Sequence, residues 1–264
     1  MTDLPEKLPV SCFIIAMNEE DRIARTIKSV MDLVDEIIVI DSGSTDATEA
    51  VCQSLGVTFL HNDWSGYGPQ KNFGEAQCRH DWVLNLDADE VPTRKLCAEI
   101  LSLLEAGEPE HSCYSIYFPT VYPGADKPRP FADYHNYIRL YDRTKVRFSN
   151  SAVHDTVTPG AYTIGQLKHP AYHFSYRSLS HLLEKFNSYT DLQARTMNKR
   201  AIWKLKLRLL TEFPTGFFKF YILRRHITGG LEGFTRALAG AAFRHFRMAK
   251  MLELAQQEQA DKEK

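Results

Sequence analysis

Several features that mark other classes of protein are missing from this 264-residue chain. It has no CxxC pair, and its five cysteines are an odd number, so at least one lacks an intramolecular disulfide. No run approaches the ~18 consecutive apolar residues that suggest a membrane span. No apolar stretch follows a basic start, as it does in a signal peptide. We therefore expect reduced, mostly packed thiols and a cytoplasmic location.

The chain also lacks the nucleotide-binding signature GxxxxGK(S/T), which argues against a P-loop ATPase. Its formal net charge of -1 gives no overall reason to expect a nucleic-acid partner, and we predict none. The charge is unevenly distributed, however, because residues 195–250 contain thirteen Lys or Arg and two acids. This basic segment is expected to have a partner different from that of the acidic remainder.

Apolar runs alternate with helical patterns over the first hundred residues. Strands are predicted at residues 10–17, 36–40, 57–60 and 82–86, and the first is nearly continuous in apolar residues, as in a buried parallel strand. Helices are predicted between them, the first capped by Asn18. This order predicts an α/β fold with a mainly parallel sheet and flanking helices.

The second half is less regular. The predicted elements are a helix over 92–104, strands near 114–118, 138–141 and 152–157, a long loop over 119–130, and a helix over 179–200. Further helices are expected to be interrupted at Pro214, Gly216 and Gly229. We predict one domain over 1–178, with halves at about 9–105 and about 106–178, and a helical, basic extension over 179–264.

Polar residues follow three of the predicted strands: NEE at 18–20, DSGSTD at 41–46 and DADE at 87–90. Ligands of open parallel sheets bind beyond the carboxyl ends of the strands. Asp87 and Asp89 stand two apart, so an extended backbone points both carboxylates to one side, where they can hold Mg²⁺ or Mn²⁺. The alternative is a solvated strand end whose acids cap the next helix, and an isolated DxD favours it.

Four segments, considered together, favour a metal site at Asp87 and Asp89 over a solvated strand end. IIAMNEE (14–20), IVIDSGSTD (38–46), GPQKNFG (68–74) and WVLNLDADE (82–90) resemble the inverting glycosyltransferases of the Rossmann-like GT-A fold, of the family-2 type. The resemblance implies a UDP-sugar donor and a divalent metal. It also implies that 1–178 is the catalytic domain, with its donor half at about 9–105 and its acceptor half at about 106–178. The donor-binding residues that it implies are Ala16, Asn18, Glu19, Asp41, Lys71, Asn72 and Asp87.

The resemblance also implies individual roles. Asp41 accepts the uracil N–H, Asp87 helps to hold the nucleotide and shares the metal, and Asp89 is the direct metal ligand. Lys71 and Asn72 follow a Gly-Pro turn at a predicted helix start, where an anion is favoured. Lys71 therefore either offsets the diphosphate charge or is simply solvated.

A later constellation, AVHD (152–155) followed by HFSYR (173–177), is similar to the glucosyltransferases that extend the inner core of bacterial lipopolysaccharide. This implies transfer of glucose from UDP-glucose, with inversion by direct displacement, onto a saccharide or lipid-linked saccharide in the heptose region. The acceptor hydroxyl needs a base. Asp155 is the first candidate and His154 the second, while His173 either completes the metal shell or is structural.

The basic segment interleaves cations with aromatic residues, a composition that suits an anionic membrane surface. We predict a peripheral position on the cytoplasmic face of the bacterial inner membrane, and the alternative is a helical subdomain whose cations face water. Other functions considered are a glycosyltransferase for another cell-envelope glycan, a sugar nucleotidyltransferase and a non-catalytic nucleotide-sugar-binding protein. A sugar nucleotidyltransferase would carry a Gly-rich, Arg-containing phosphate loop after the first strand, and the segment IIAMNEE supplies neither glycine nor arginine.

Overall fold

The computed structural model describes residues 7–151, 156–196 and 201–262. Contacts divide the chain into two compact units. The sheet unit comprises Met1–Thr120 and Tyr134–Ser175, and the helical unit comprises Val121–Asp133 and Tyr176–Lys264. The loop 121–133 thus belongs to the helical unit although it connects two strands of the sheet unit.

The sheet unit contains eleven strands within the described residues. They are β1 (Leu8–Ala16), β2 (Val34–Asp41), β3 (Thr58–His61), β4 (Trp82–Asp87), β5 (Glu90–Pro92), β6 (Cys113–Pro119), β7 (Tyr134–Asp142), β8 (Arg147–Phe148), β9 (Val157–Thr158), β10 (Ile164–Gln166) and β11 (Ala171–His173). Seven form one sheet in the order β10-β6-β7-β4-β1-β2-β3, and β5 pairs with β11 and β8 with β9. Strands β1 to β4 are parallel, whereas β7 is antiparallel to β4 and β6. The predicted α/β fold with a mainly parallel sheet is confirmed.

In the described part of the chain, four helices accompany the sheet: α1 (Ile23–Val30), α2 (Thr48–Ser54), α3 (Tyr67–Gln77) and α4 (Arg94–Glu105). Helix α1 buries Ile23, Ile27 and Val30, as its apolar spacing predicted. Helix α3 approaches the sheet at Gly74, where a Cβ would lie 2.7 Å from the Phe13 ring. A residue with a side chain there would push α3 away from the sheet.

The start of α1 differs from the prediction that Asn18 caps it. The N-cap residue is Arg22, and a turn separates it from β1 because the N–H groups of Arg22 and Ile23 both donate to the Glu19 carbonyl. Asn18 adopts a left-handed backbone, and its Oδ1 accepts the Thr45 N–H at 2.8 Å. The predicted cap is wrong because the Asn18 amide serves the loop after β2 instead.

Helix α4 likewise starts later than predicted. Pro92 ends β5, where it pairs with Ala171, and the Thr93 hydroxyl caps the helix by accepting the Leu96 N–H at 3.2 Å.

The helical unit contains α5 (Leu179–Thr196), α6 (Ile202–Phe218), a π-helical turn (Lys219–Leu223), a 3₁₀ turn (His226–Gly229) and α7 (Gly230–Lys262). The predicted interruptions at Pro214 and Gly216 are wrong, since both lie inside α6. Packing overrides the local preference there: a Cβ on Gly216 would lie 3.3 Å from the Ala241 Cα, so the glycine lets α6 approach α7 closely. The break at Gly229–Gly230 is confirmed.

All five cysteines are free, and four of them are buried, which confirms the expected packed thiols. Burial raises the pKa of Cys52 and of Cys97 to about 11, so both thiols are protonated at neutral pH. Within the described residues, no helix combines the length and apolarity that a membrane crossing requires.

Candidate active site

Two loops meet at the carboxyl ends of β1 and β2, which are adjacent and parallel with Ala16 opposite Asp41. The Asn18 N–H donates to the Ser44 hydroxyl at 2.8 Å, and the Glu19 N–H donates to the Thr48 hydroxyl at 2.8 Å. Because each loop satisfies backbone groups of the other, the two form a single ordered wall above these strands. The structure therefore brings together the predicted donor residues of the first two strand ends.

The Asp41 carboxylate holds the loop that follows it. Asp41 is buried, and its Oδ2 accepts the N–H groups of Gly43 and Ser44, each at 2.8 Å. Its Oδ1 accepts the Ser44 hydroxyl at 2.5 Å. In this arrangement Asp41 shapes the wall from inside, and its predicted contact with uracil stays a prediction.

A buried charge cluster lies under the end of β4; it consists of Lys71, Asn85, Glu90 and Arg139, which are buried, and Asp87, which is half-buried. Lys71 is fully buried, and its Nζ donates to Asn85 Oδ1 at 2.7 Å and to Asp87 Oδ1 at 2.5 Å. Arg139 is 1% exposed and donates to Asn85 Oδ1, Asp87 Oδ2 and Glu90 Oε1 at 2.7–2.8 Å. The solvated alternative for Lys71 is therefore wrong, because α3 turns the side chain onto β4.

The charges of the cluster set the protonation of its acids. Burial opposes ionisation of Asp87, but the adjacent charges of Arg139 and Lys71 outweigh it and hold the Asp87 pKa well below its usual range. Burial raises the pKa of Glu90, and the neighbouring Asp87 charge adds to that effect while Arg139 opposes it. Both oxygens of Asp87 are engaged by cations within the cluster.

Asp89 and His173, two of the predicted metal ligands, meet beside this cluster. Strand β11 pairs with β5 so that His173 lies opposite Glu90, and His173 Nε2 is 3.5 Å from Asp89 Oδ2. Arg22 NH1 approaches the same oxygen at 3.4 Å. Burial works against each charge, but their hydrogen bond lowers the pKa of Asp89 and raises that of His173. His173 Nδ1 is buried without a hydrogen-bond partner.

The remaining predicted residues fall in three places. Ala16 is buried at the end of β1, and Asn72 is half-buried on α3 beside Lys71. His154 and Asp155, the two candidates for the base, lie outside the described residues.

The described chain just before the two candidate bases is fixed against the start of α3. The Gly68 N–H donates to the Ser151 carbonyl at 2.9 Å. A Cβ on Gly68 would lie 2.3 Å from the Ser149 carbonyl oxygen, so glycine is required for this approach. The GPQKNFG motif therefore supports the segment that leads to residues 152–155.

Sequence reasoning missed several polar residues of the site, namely Arg22, Gln70, Asn85 and Arg139. Gln70 is buried on α3 and links Asn62 to Ser42 through its side-chain amide. A signal was present for Asn85 and Arg139, because each interrupts an otherwise apolar strand, WVLNL and YIRLY. A polar group inside a buried strand requires a partner in the interior.

The side chains of Asp89 and His173 are suitable ligands for a divalent ion whose remaining ligands come from other groups. No group of three or more His, Cys, Asp or Glu side chains that could hold a metal occurs among the described residues. Asp89 and His173 supply one oxygen and one nitrogen at a separation that one ion can bridge. Mg²⁺ and Mn²⁺ accept few protein ligands when substrate phosphates provide others.

The chain is similar to known glycosyltransferases. Residues 11–163 match the family described as Glycosyl transferase family 2. An uncharacterized glycosyltransferase of Rickettsia felis is 38% identical over 92% of this chain and 89% of its own length. The lipopolysaccharide core biosynthesis glycosyltransferase LpsC of Rhizobium meliloti is 30% identical over 94% of this chain and 93% of its own. A crystal structure of glucosyl-3-phosphoglycerate synthase from Mycobacterium tuberculosis with Mn²⁺, UDP-glucose and phosphoglyceric acid is 28% identical, covers 44% of each chain and gives a TM-score of 0.34. Because the family match spans more than half of the sequence, and a relative over nearly all of it bears a glycosyltransferase name, the chain belongs to glycosyltransferase family 2 and is a glycosyltransferase.

Proposed function

We propose that this glycosyltransferase moves glucose from UDP-glucose onto the heptose region of the lipopolysaccharide inner core, with inversion at the anomeric carbon. The assignment of the sugar donor rests on one observation: Asp89 and His173 lie close together beside the ordered wall that the 18–20 and 41–48 loops form. The acceptor half is supported by LpsC, a relative named for lipopolysaccharide core biosynthesis.

Asp89 and His173 are the residues that would hold Mg²⁺ or Mn²⁺, with Asp87 behind them. When bound, the ion would offset the charge that develops on the departing diphosphate. The buried cluster fixes Asp87 at the β4 end, because Lys71 and Arg139 each bind one of its oxygens. Arg22 also orients Asp89, since it is itself held by donating to the Phe174 carbonyl at 2.8 Å and by pairing with Glu19.

The acceptor side needs a base for the attacking hydroxyl. Asp155 stays our candidate, with His154 as the competing base. Direct displacement places the attacking oxygen and the departing diphosphate on opposite faces of the transferred sugar, so no covalent sugar-enzyme intermediate is required.

The proposal is tested by a screen of UDP-, GDP- and dTDP-sugars for Mn²⁺-dependent hydrolysis and for transfer to an inner-core oligosaccharide that ends in heptose. We expect UDP-glucose to be preferred, and Asp89→Ala to lose Mn²⁺-dependent turnover by about 100-fold or more. Asp63→Ala changes a fully exposed carboxylate and serves as the control. Preference for another nucleotide, or near-normal turnover by Asp89→Ala, would contradict the assigned donor site.

We further propose that the helical unit binds an anionic membrane surface on the cytoplasmic side of the inner membrane. Trp203, Leu207, Leu210 and Phe218 share one side of α6 and are 64%, 57%, 78% and 56% exposed. The acid of this helix, Glu212, is buried, so the exposed charges of α6 are basic. Apolar side chains with flanking cations are the composition of interfacial helices.

Vesicle co-sedimentation tests this surface. The doubly substituted protein Leu207→Ser, Leu210→Ser should bind anionic vesicles several-fold more weakly than the wild type. Ile164→Ser, which alters an exposed apolar residue of the sheet unit, should bind normally. Equal binding by all three proteins would refute the α6 surface.

A further inference from the structure

Strand β7 begins with exposed residues although it lies inside the seven-stranded sheet. Its first four positions are exposed and its last four are buried. His135 and Tyr137 stand two apart and pair with Phe118 and Ile116 of β6, so they share one face of the sheet. The imidazole of His135 and the ring of Tyr137 are stacked, with centroids 5.5 Å apart and planes 9° apart. We call this pair of rings the aromatic platform.

The platform lies next to the candidate active site. The His135 ring is 6.3 Å from the ring of His173, which in turn contacts Asp89. At the other end, the Arg139 guanidinium lies 5.3 Å from the Tyr137 ring centroid and binds Asp87. The two rings therefore extend from the candidate metal ligand to the buried charge cluster.

Buried neighbours hold the platform in place. The Tyr137 ring is 6.3 Å from that of Phe118, which is fully buried, and it contacts the buried Arg139. Tyr137 itself remains 40% exposed, so one side of the ring is supported while part of it faces solvent. A supported, solvent-facing ring gives a preorganised binding surface that loses little conformational entropy on binding.

A sugar matches the chemistry of this surface. The C–H face of a pyranose is apolar and carries partial positive charge, and it packs on the electron-rich face of an aromatic ring while its hydroxyls stay hydrated or hydrogen-bonded.

The sheet order indicates which sugar. The loops proposed to hold the nucleoside follow β1 and β2, on one side of β4, whereas β7 lies on the other side of β4. A group bound on β7 is thus separated from the nucleoside by the strand that carries Asp87. We propose that the aromatic platform of His135 and Tyr137 binds the acceptor sugar, an assignment that rests on the proposed function.

The test compares Tyr137→Ala with Tyr137→Phe in the full-length protein. UDP-glucose and an inner-core oligosaccharide ending in heptose are the substrates. The alanine variant should raise the acceptor KM roughly 5- to 10-fold, while the UDP-glucose KM and Mn²⁺-dependent hydrolysis stay within about 2-fold. The phenylalanine variant keeps the ring and should retain the wild-type acceptor KM. Tyr134→Ala is the matched control, because Tyr134 is an exposed tyrosine on the opposite face of β7.

An unchanged acceptor KM in Tyr137→Ala, or a raised KM for UDP-glucose instead, overturns the assignment. Failure of the wild type to turn over any UDP-sugar counts against the proposed function and not against the platform. In that case saturation-transfer NMR reads out the platform directly: transfer to the C–H protons of the oligosaccharide should fall in Tyr137→Ala, and equal transfer in both proteins overturns the assignment.

Discussion

Arg139 shows how a single side chain organises the site. Its guanidinium is buried and connects Asn85 and Asp87 of β4 with Glu90 of β5. Removing one partner of a buried ion pair leaves uncompensated charge, which costs more than the pair itself contributes.

We expect Arg139→Met to lower the free energy of unfolding by about 3–5 kcal/mol, because Asp87 and Glu90 lose their shared cation. Denaturant unfolding monitored by circular dichroism measures this. Arg79→Met provides the control, since it removes an exposed ion pair with Asp35 and should cost under about 1 kcal/mol. A similar, small loss in both variants would show that Arg139 does not stabilise the cluster.

For individual residues, the sequence predicted the acidic residues at the end of β4 but not which cations bind them. Asp87 and Asp89 were found because a DxD after a strand has a recognisable pattern, and His173 because it follows a motif. The burial of Lys71 depends on how α3 is rotated on the sheet, and Arg139 reaches Asp87 from a strand 52 residues later. Neither fact is encoded in local spacing.

The contacts of a whole element, helix α3, were also not predictable from local sequence. Its start was predicted as an anion-binding turn, but the described contact of Gly68 is with the backbone at Ser149 and Ser151. That backbone immediately precedes the two candidate bases, and we propose that the helix start acts on the acceptor side through this packing.

Gly68→Ala should therefore displace residues 149–151, since its Cβ would meet backbone atoms that have no flexible end to move. We expect a loss of about 1–3 kcal/mol in stability, and a fall in kcat that exceeds the change in the UDP-glucose KM. Steady-state kinetics and thermal unfolding measure the two effects. Gln77→Ala, at an exposed position of the same helix, should change neither. Normal kcat in Gly68→Ala would mean that this contact does not position the base.

Helices α6 and α7 are joined by one carboxylate. Glu212 of α6 accepts hydrogen bonds from Arg208 of α6 and Arg244 of α7, at 2.8 Å and 2.6 Å for the shorter bond of each. Burial works against its charge, but these hydrogen bonds lower the Glu212 pKa below the usual 4.5. A depressed pKa means that this stabilisation is present above pH ~4.5 and is lost as the pH falls through the folded-state value.

The free energy of unfolding should therefore decrease below about pH 4.5, and Glu212→Gln should flatten this decrease while lowering stability at pH 7. Urea unfolding at several pH values provides the measurement. Glu105→Gln, at an exposed site on α4, is expected to leave the wild-type slope unchanged. Identical slopes for wild type and Glu212→Gln would exclude this carboxylate as a source of acid sensitivity.

The elements themselves were predicted well where apolar periodicity is strong. The first four strands and the helices between them follow from it, apart from their ends. Helix α6 was predicted to break at Pro214 because local preference does not report the packing of Gly216 against Ala241. Helix continuity there is decided by a partner helix that is distant in sequence.

At the scale of the whole molecule, the helical unit includes a loop that is far from it in sequence. Arg129 donates to the carbonyl oxygens of Arg224 and Arg225 at 3.1 and 3.0 Å, and the Tyr122 hydroxyl lies 2.6 Å from His226 Nδ1. The helices beyond residue 178 therefore satisfy polar groups of the 121–133 loop.

A protein that ends at residue 178 should consequently be less stable and less soluble than the full chain, because Tyr122 and Arg129 lose these partners. Thermal unfolding and the soluble fraction after expression measure the loss. A protein that ends at residue 255 removes the last residues of α7 and should behave like the full chain. Wild-type stability after truncation at 178 would show that the loop does not depend on the helices.

The buried charge cluster also has an evolutionary consequence. The four charged residues of the cluster come from four different elements; they are Lys71, Asp87, Glu90 and Arg139. The loss of any one of them leaves an uncompensated charge in the cluster. Substitutions at these positions are therefore expected to depend on one another. A single replacement should be deleterious, whereas a compensating pair of replacements can be tolerated. Among homologues, these four positions should covary or stay invariant together, so an alignment would reveal the cluster even where no substrate is known.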